Sequence, residues 1–329
     1  MKKEILCALV VLLLSCSRNG PLPAANFPKD LHVANLEILA SDIPPAPYNG
    51  LFFTDKNTGF AIARNGKLVK TMDGGLKWSS IVLPVNCFLK DIQFTDNNNG
   101  YIVGHDESGV RFFSTRDGGM SWNVIKLGKP NTSSTGMFFL NRNRGFITGI
   151  NLFVQTSDGG ASWSEVLQDN IFGFNDVNFR NHRDGYATST DGVYYVTYNG
   201  GDTWEQKVAG TKEDIRDIYF SQSLHYAVIG NNYLLDLKSR SIVDSMPKPI
   251  QKALFLSNDK CIGVGQHFGE GFWPIGDIFL TNDRWKTYEQ KKYNVSEAIE
   301  VNAITRIDDN KTLMIGNAPE KSMLIMLRY

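Results

Sequence analysis

An eight-residue turn pattern recurs along the chain and constrains the fold more than any other feature. It begins with Thr and runs through an acidic or amide residue and a Gly-Gly pair to Trp, and its clear copies are residues 71–78, 115–122, 156–163 and 197–204. A fifth copy, residues 281–288, lacks the Gly pair and ends in Tyr. Successive acidic or amide positions lie 44, 41, 41 and 84 residues apart, so one copy is missing from the series. A repeat of about 42 residues with a turn at its centre is typical of propellers and solenoid arrays.

The composition of this turn, called the box turn below, predicts a tight hairpin. The Thr hydroxyl and the carboxylate two residues later can accept backbone N–H groups, and the Gly pair supplies positive φ angles at little steric cost. The final aromatic residue starts the next strand and buries a large ring over the hairpin. A residue repeated once per structural unit more often builds the unit than carries chemistry, so we interpret these positions as structural. They are Asp73, Trp78, Asp117, Trp122, Asp158, Trp163, Asn199, Trp204, Asp283 and Tyr288.

Four short strand patterns surround each box turn, and their alignment gives seven units. The first strands of the units start near Leu51, Ile92, Met137, Val177, Ile218, Leu254 and Ala303. The seventh unit stops at its third strand, and the alternating residues 32–39 can supply the fourth, which would remove an open edge. The sequence therefore predicts an all-β fold: a seven-bladed β-propeller with four-stranded antiparallel blades, closed by an N-terminal strand, in one domain over residues 32–329.

The first residues have the pattern of a bacterial export signal. Two Lys residues precede an apolar run that is too short to span a membrane as a mature helix, and residues 13–16 match a lipobox ending in Cys16. We expect residues 1–15 to be a lipoprotein signal peptide, Cys16 to carry the lipid, and residues 16–31 to be a Pro-containing tether. The alternative is an ordinary secretory signal with a chance cysteine. The lipoprotein interpretation predicts a lipid-anchored protein of the bacterial cell envelope, on the periplasmic or cell-surface side.

The charge, cysteine and histidine content indicate which partners, disulfides and metal sites to expect. The chain has 34 Lys+Arg and 34 Asp+Glu, which argues against nucleic acid because phosphate binding needs a basic footprint. Beyond the signal region the cysteines are Cys87 and Cys261, which fall in non-adjacent units, so we expect buried free thiols. The five histidines are scattered without ligand spacing, so the sequence predicts no metal site and no cofactor.

Propellers usually bind ligands on the face that carries the turns between second and third strands and the links between blades. The longest such turn is expected at residues 265–276 of the sixth unit, where large aromatics lie in a Gly-rich segment. These aromatics could anchor a partner or could plug the mouth of the channel, and the charged turn of the second unit could simply be solvated. The candidate partner-binding residues on this channel face are His105, Asp106, Glu107, Phe172, Phe174, His267, Glu270, Phe272 and Trp273.

The box turns resemble those of the Asp-box or BNR-repeat proteins, which include sialidases, sortilin-type receptors, xyloglucanases and photosystem II stability and assembly factors. By size, unit count, single domain and lipobox, the chain is most similar to the photosystem II stability and assembly factor family. That resemblance implies a non-enzymatic scaffold that binds another protein, such as a membrane-protein subunit, partly through an arginine patch. Candidates for such a patch on the box-turn face are Arg142, Arg144, Arg180 and Arg183. We expect the chain to be a monomer.

An enzymatic function receives less support. The chain lacks the early Arg-Ile-Pro segment usual in sialidases, and no carboxylate pair stands out as a glycosidase acid and nucleophile. A glycan-binding or glycoside-hydrolase-like propeller remains the alternative to a protein-binding scaffold.

Overall fold

A computed structural model describes residues 35–167, 173–210, 212–220, 225–229, 233–236, 239, 241–246, 250–257, 259–268, 274–283, 285–292, 300–318 and 320–329. The expected signal peptide, Cys16 and the expected tether lie outside the described residues. Within those ranges every regular element is a β-strand. Accordingly, no helix there is long and apolar enough to cross a membrane.

The strands follow one another at short intervals along the chain. The first seventeen are β1 (Asn35–Ile38), β2 (Tyr48–Phe53), β3 (Gly59–Ala63), β4 (Leu68–Thr71), β5 (Ser79–Ile81), β6 (Phe88–Phe94), β7 (Gly100–Asp106), β8 (Gly109–Thr115), β9 (Asn123–Leu127), β10 (Ser134–Phe139), β11 (Gly145–Gly149), β12 (Leu152–Thr156), β13 (Ser164–Glu165), β14 (Phe174–Phe179), β15 (Gly185–Ser189), β16 (Val193–Thr197) and β17 (Glu205–Val208). The remaining strands are β18 (Ile215–Phe220), β19 (His225–Ile229), β20 (Tyr233–Asp236), β21 (Ser241–Ser245), β22 (Ile250–Phe255), β23 (Cys261–Phe268), β24 (Pro274–Thr281), β25 (Glu289–Lys292), β26 (Glu300–Asp308), β27 (Lys311–Asn317) and β28 (Ser322–Arg328).

These strands form seven four-stranded antiparallel sheets in the described part of the chain. Six sheets are simple meanders of consecutive strands, from β2–β5 to β22–β25. The seventh has the order β1-β28-β27-β26, so a strand from the start of the chain pairs with the last strand. In this sheet Leu36 lies opposite Leu327 and Ile38 opposite Ile325. First strands of successive sheets contact one another, and β26 contacts β2.

Every first strand carries a β-bulge at the equivalent position. The bulged residues are Asn49, Lys90, Thr135, Asn175, Arg216, Gln251 and Asn302. Three of their side chains bond to the next sheet: Asn49 Nδ2 to Leu89 O at 2.9 Å, Thr135 Oγ1 to Phe174 O at 2.6 Å, and Asn175 Nδ2 to Ile215 O at 2.9 Å. An extra residue bends a strand and frees its side chain from the ladder. The bulge therefore both bends the strand and links neighbouring sheets.

The box turns have the predicted local structure. In the second sheet Thr115 Oγ1 accepts the Gly119 N–H at 2.9 Å and donates to Asp117 Oδ1 at 2.7 Å. Asp117 Oδ1 also accepts the N–H groups of Met120 and Ser121, both at 3.0 Å. The Gly118 and Gly119 φ angles are +68° and +80°. The polar groups of this turn are therefore bonded within the turn, as a structural hairpin requires.

The sixth sheet departs from the expected box turn. Trp285 N–H donates to Thr281 Oγ1 at 2.9 Å, the role that the second Gly has elsewhere, and Trp285 has a φ of +70°. Its side chain is 3% exposed and packs with Leu234 and Ile250, between the fifth and sixth sheets. Tyr288, expected to replace the terminal Trp, is 51% exposed. The Tyr288 ring still packs edge-on against Phe279 with centroids 5.7 Å apart, so it keeps the position of the box Trp but is less buried, while the Trp285 ring fills the interior.

Two faces follow from the strand order. Each clear box turn bonds to the first hairpin turn of its own sheet, as in Gly118 N–H to Asn98 O at 3.0 Å and Gly159 N–H to Asn143 O at 2.8 Å. Turns between second and third strands meet the links between sheets on the opposite side, as in Asn131 N–H to Glu107 O at 3.3 Å. These sides are called the box face and the channel face below.

Cation contacts join neighbouring sheets on the box face. Lys70 Nζ donates to Gly118 O at 2.8 Å, and Arg116 Nη2 donates to Gly159 O at 2.8 Å. Arg116 also lies over the Tyr101 ring at 5.3 Å from its centroid. Lys70 likewise lies over the Phe60 ring. Each cation thus binds the box turn of the following sheet while it covers an aromatic ring of its own sheet.

Candidate functional site

A groove of about 820 Å³ opens on the channel face at the β7–β8 hairpin. One wall is the hairpin itself, with His105, Asp106, Glu107 and Ser108, and the opposite wall is the link from β9 to β10, with Asn131, Thr132 and Ser133. Phe88 lies at the base of the hairpin. The groove therefore unites three of the residues that the sequence predicts for partner binding.

An aromatic stack supports the hairpin wall. His105 lies over Phe88 with ring centroids 4.9 Å apart and planes at 23°. His105 Nδ1 is 3.4 Å from Ser134 Oγ. Burial, together with nearby Lys90, lowers the pKa of His105, so its ring is neutral at neutral pH. The neutral ring offers a flat, weakly polar surface and one hydrogen-bonding nitrogen.

Asp106 fixes the shape of the turn. Its Oδ2 accepts Arg111 Nε at 2.7 Å, and its Oδ1 accepts the Ser108 N–H at 2.8 Å and the Ser108 hydroxyl at 2.6 Å. The Arg111 and Ser108 hydrogen bonds lower the pKa of Asp106 to about 2. Asp106 is therefore ionised at neutral pH and cannot serve as a general acid there. Glu107, by contrast, is exposed at the tip.

The sequence reasoning missed the second wall of the groove. Asn131, Thr132 and Ser133 are distant in sequence from the hairpin and have no distinctive motif. Thr132 Oγ1 donates to Lys129 O at 2.7 Å, which shapes this link. The strand order could have indicated this wall, because links between sheets lie on the same face as turns between second and third strands.

A narrow cavity of about 50 Å³ lies between first strands from six sheets. The residues that follow the bulges line it, among them Gly50, Asp176, Asp217, Lys252 and Ala303. Lys252 Nζ is 3.4 Å from Asp217 Oδ1. Among the described residues, no group of three or more His, Cys, Asp or Glu is placed to hold a metal ion. The cavity is polar but too small for a ligand larger than a few waters.

The four arginines of the expected basic patch lie on the box face but have different roles. Arg144 Nη2 pairs with Asp202 Oδ1 at 3.1 Å and covers the Phe146 ring at 5.0 Å. Arg180 pairs with Asp184 in its own hairpin. Arg142 and Arg183 are exposed. Arg183 Nε nevertheless donates to Tyr198 O at 3.2 Å, so three of the four guanidinium groups are committed to contacts within the chain and the patch is smaller than the sequence predicts.

Phe174 was predicted to contact a partner, but the structure places it in the core. Phe174 is 3% exposed and packs against Phe153 at 4.7 Å, so its ring belongs to the core and is unavailable to a partner. Its burial follows from its place at the start of the first strand β14. Phe172 lies outside the described residues.

The long turn of the sixth unit is shorter than expected. Strand β23 continues to Phe268 and β24 begins at Pro274, with these two residues paired, so residues 265–268 and 274–276 are ladder rather than loop. His267 therefore lies in a strand. Glu270, Phe272 and Trp273 lie outside the described residues.

Both remaining cysteines are buried free thiols, as predicted. Burial raises the pKa of the Cys87 thiol to about 12 and that of Cys261 well above its usual value. Neither is a reactive thiolate at neutral pH.

The sheets and box turns define an all-β protein of the Asp-box propeller type. The family described as photosynthesis system II assembly factor YCF48 matches residues 76–234. The photosystem II assembly lipoprotein Ycf48 of Synechococcus sp. (strain CC9902) is 26% identical over 164 residues, 47% of this chain and 48% of the relative. The chain thus matches about half the length of the curated relatives.

Solved structures with a similar fold include a Ycf48 protein and a more distant propeller enzyme. A structure described as YCF48 bound to D1 peptide has a TM-score of 0.69 at 19% identity and covers 92% of this chain and 99% of its own. The GH74 xyloglucanase from Xanthomonas campestris has a TM-score of 0.67 at 11% identity, over 88% of this chain and 53% of the enzyme. Within the propeller class the chain is similar to the photosystem II assembly factors of the Ycf48 type.

Proposed function

We propose that this chain is a lipid-anchored, non-enzymatic scaffold of the cell envelope that binds another protein on its channel face. Its similarity to the Ycf48 assembly lipoproteins is the observation that supports this most directly, because one such structure is described as bound to a D1 peptide. The groove between the β7–β8 hairpin and the β9–β10 link is the surface to which we assign the contact.

The proposal includes the architecture that positions this groove. The seven sheets are the blades of one closed ring, with β1 as the outer strand of the last blade. Two observations support closure: β26 contacts β2, and six first strands share one axial cavity. Residues 1–15 are the signal peptide, residues 16–31 the tether from lipidated Cys16, and residues 32–329 the propeller.

The recognition chemistry that fits the groove is that of an extended peptide segment. One wall offers an aromatic stack and the exposed carboxylate of Glu107, and the other offers the Asn131, Thr132 and Ser133 link. A flat apolar surface beside scattered hydrogen-bonding groups suits a peptide with an apolar and a cationic side chain. Phe272 and Trp273 are the further anchors that we propose from the sequence.

Capture from membranes tests the binding proposal. The full tagged chain is purified from detergent-solubilised membranes of its own bacterium beside the variants Glu107→Arg and Glu165→Arg. Both substitutions reverse an exposed charge, but Glu165 lies on β13, away from the groove. We expect a protein partner that is lost with Glu107→Arg and retained with Glu165→Arg. Equal recovery with both variants would contradict the groove assignment.

Phe272→Ala and Trp273→Ala, each tested in the same capture, extend the assay to the segment between β23 and β24 in the sequence. We expect each to reduce partner recovery. Retention of the partner by both variants would remove these two residues from the proposed interface.

The glycan alternative is tested separately. The likeness to a xyloglucanase shows a shared fold at 11% identity. Retaining and inverting glycosidases need a carboxyl group that can donate a proton, whereas Asp106 is held ionised. We expect the purified chain to release no reducing sugar from xyloglucan and no sialic acid from sialosides. Activity that disappears with Glu270→Gln would overturn the scaffold proposal in favour of an enzyme.

A further inference from the structure

Three apolar side chains project into solvent from the first two box turns. Met72 is 73% exposed, Met120 is 78% exposed and Leu76 is 48% exposed. The two turns are joined through the Lys70 Nζ to Gly118 O hydrogen bond of 2.8 Å, so these side chains share one edge of the box face. Side chains of this kind contribute nothing to the core, and a cluster of them on a polar surface marks a contact region.

The equivalent positions in the third box turn are different. Ser157 and Ala161 stand where the first turn has Met72 and Leu76. Both are exposed. Since the hairpin geometry is the same, the turn itself does not require apolar residues there. The edge formed by the first two box turns, called the apolar edge below, carries three exposed apolar side chains, whereas the fourth box turn carries one, Tyr198, which is 56% exposed.

The described chain begins beside this edge. Asn35 lies opposite Arg328, and the neighbouring Tyr329 N–H donates to Asn310 O in a first hairpin turn, so β1 starts on the box face. A few residues later, Ser41 Oγ donates to Gly75 O at 2.8 Å and Asp42 Oδ1 accepts the Trp78 N–H at 2.7 Å. The chain therefore passes directly along the first box turn.

Covalent geometry limits how far this edge can move from an anchored Cys16. Nineteen residue steps separate Cys16 from Asn35, and an extended chain advances at most about 3.6 Å per residue, or about 70 Å in all. A surface held this close to a bilayer experiences a high effective concentration of lipid, so a few apolar side chains suffice to orient it.

We propose that the apolar edge rests on the same phospholipid bilayer that holds Cys16, with Met72, Leu76 and Met120 in the interface. This inference rests on the proposed lipid anchoring. Lys77 is exposed on the first of these turns, where its ammonium group can reach lipid phosphates, whereas the Arg116 guanidinium is held by the third box turn. The Asp73 and Asp117 carboxylates beside them accept the N–H groups of their own turns. With this edge on the membrane, the channel-face groove points away from the lipid.

Spin labelling of the full lipidated chain in vesicles of phosphatidylethanolamine and phosphatidylglycerol tests the proposal. Nitroxide labels are placed singly at Met72→Cys, at Met120→Cys and at the matched control Ser157→Cys. The native Cys87 and Cys261 thiols are buried and do not compete for the label. Collision of each label with oxygen and with a water-soluble nickel complex is measured, and flotation of the vesicles reports anchoring independently.

We expect the labels at positions 72 and 120 to lose collisions with nickel and gain collisions with oxygen on vesicles, while the label at 157 stays aqueous. Chains that float with labels equally aqueous at all three sites would overturn the apolar edge and leave the anchor intact. Chains that do not float would overturn the anchor and this inference together. Mutual broadening between labels on two chains would show that a second copy covers the edge, which also overturns it.

Discussion

The carboxylate of each box turn stabilises the turn, and substitutions of Asp117 can show whether it acts through its hydrogen bonds or through its charge. Asp117 accepts two backbone N–H groups and two hydroxyl donors. We expect Asp117→Ala to lower the free energy of unfolding by about 1–2 kcal/mol, as loss of a helix cap does. Asp117→Asn should be nearly neutral, because Asn199 in the fourth box turn accepts the Thr203 N–H and donates Nδ2 to the Thr203 hydroxyl. Urea denaturation at pH 7 measures both, and equal loss with Ala and Asn would contradict the argument.

The same carboxylate predicts a pH dependence. Hydrogen bonds from Ser121 and Thr115 lower the pKa of Asp117 below its usual value. A group with a lowered folded-state pKa stabilises the protein above its unfolded pKa of about 4 and loses that contribution as the pH falls toward its folded value. Wild type should therefore lose more stability than Asp117→Asn between pH 5 and pH 2. Parallel curves for the two proteins would show that Asp117 contributes no such linkage.

Trp285 shows how one residue can take over a role that the pattern assigns to another. We expect Trp285→Gly to cost about 3 kcal/mol through the lost ring, partly offset by relief of its positive φ. Addition of Tyr288→Trp should recover much of that stability, because it restores the arrangement of the other box turns. Tyr288→Trp alone serves as the control. Urea midpoints decide the question, and a double variant no more stable than Trp285→Gly would show that the two ring positions are not equivalent.

At the scale of the elements, contacts between sheets should matter as much as the sheets themselves. Arg116 donates to Tyr101 Oη and Gly159 O and stacks over the Tyr101 ring. Arg116→Met keeps the apolar stem and removes these donors, so we expect a loss of about 1–2 kcal/mol. Arg142→Met, which also removes a cation from the box face, is the control. Equal effects in thermal melts would mean that Arg116 acts only through net charge.

Sequence periodicity was sufficient to predict individual strands because apolar alternation and turn residues are local signals. The length of each hairpin was harder to predict. The Gly-rich composition of residues 265–276 predicted a loop, but pairing from Cys261↔Thr281 to Phe268↔Pro274 extends both strands into it. Gly lowers strand propensity without forbidding a ladder. Phe174 was misassigned for a related reason, since an aromatic at the first residue of a strand gives no local indication of which way it points.

At the scale of the whole molecule, the pairing of β1 with β28 can be tested by proline substitution. Leu39 N–H donates to Leu324 O, so by antiparallel alternation the Glu37 N–H also points into the sheet, whereas the Ile38 N–H points away. We expect Glu37→Pro to lower the melting temperature and to expose the chain start to protease, because it removes a ladder donor. Ile38→Pro should have a smaller effect. Equal melting temperatures for the two variants would argue against this register.

The number of repeat units could be predicted from the sequence, but only one wall of the groove could. Repeat spacing indicates how many units there are, but which residues face one another across a groove depends on how neighbouring sheets are placed. Asp106 and Glu107 could be assigned to a face, whereas Asn131 and Thr132 meet them only through the fold. The ion pairs of Arg144 and Arg180 likewise depend on partners that no local pattern specifies.

The pairing of the first strand with the last has a consequence in time. During synthesis β1 is made before every other described strand, and its partner β28 is made after all of them. The sheet that contains β1 therefore stays incomplete, with open edges, until β28 has been made, and such long-range pairing is slow and prone to aggregation. A product truncated before β28 is left with an unpaired β1 strand that quality-control proteases can recognise.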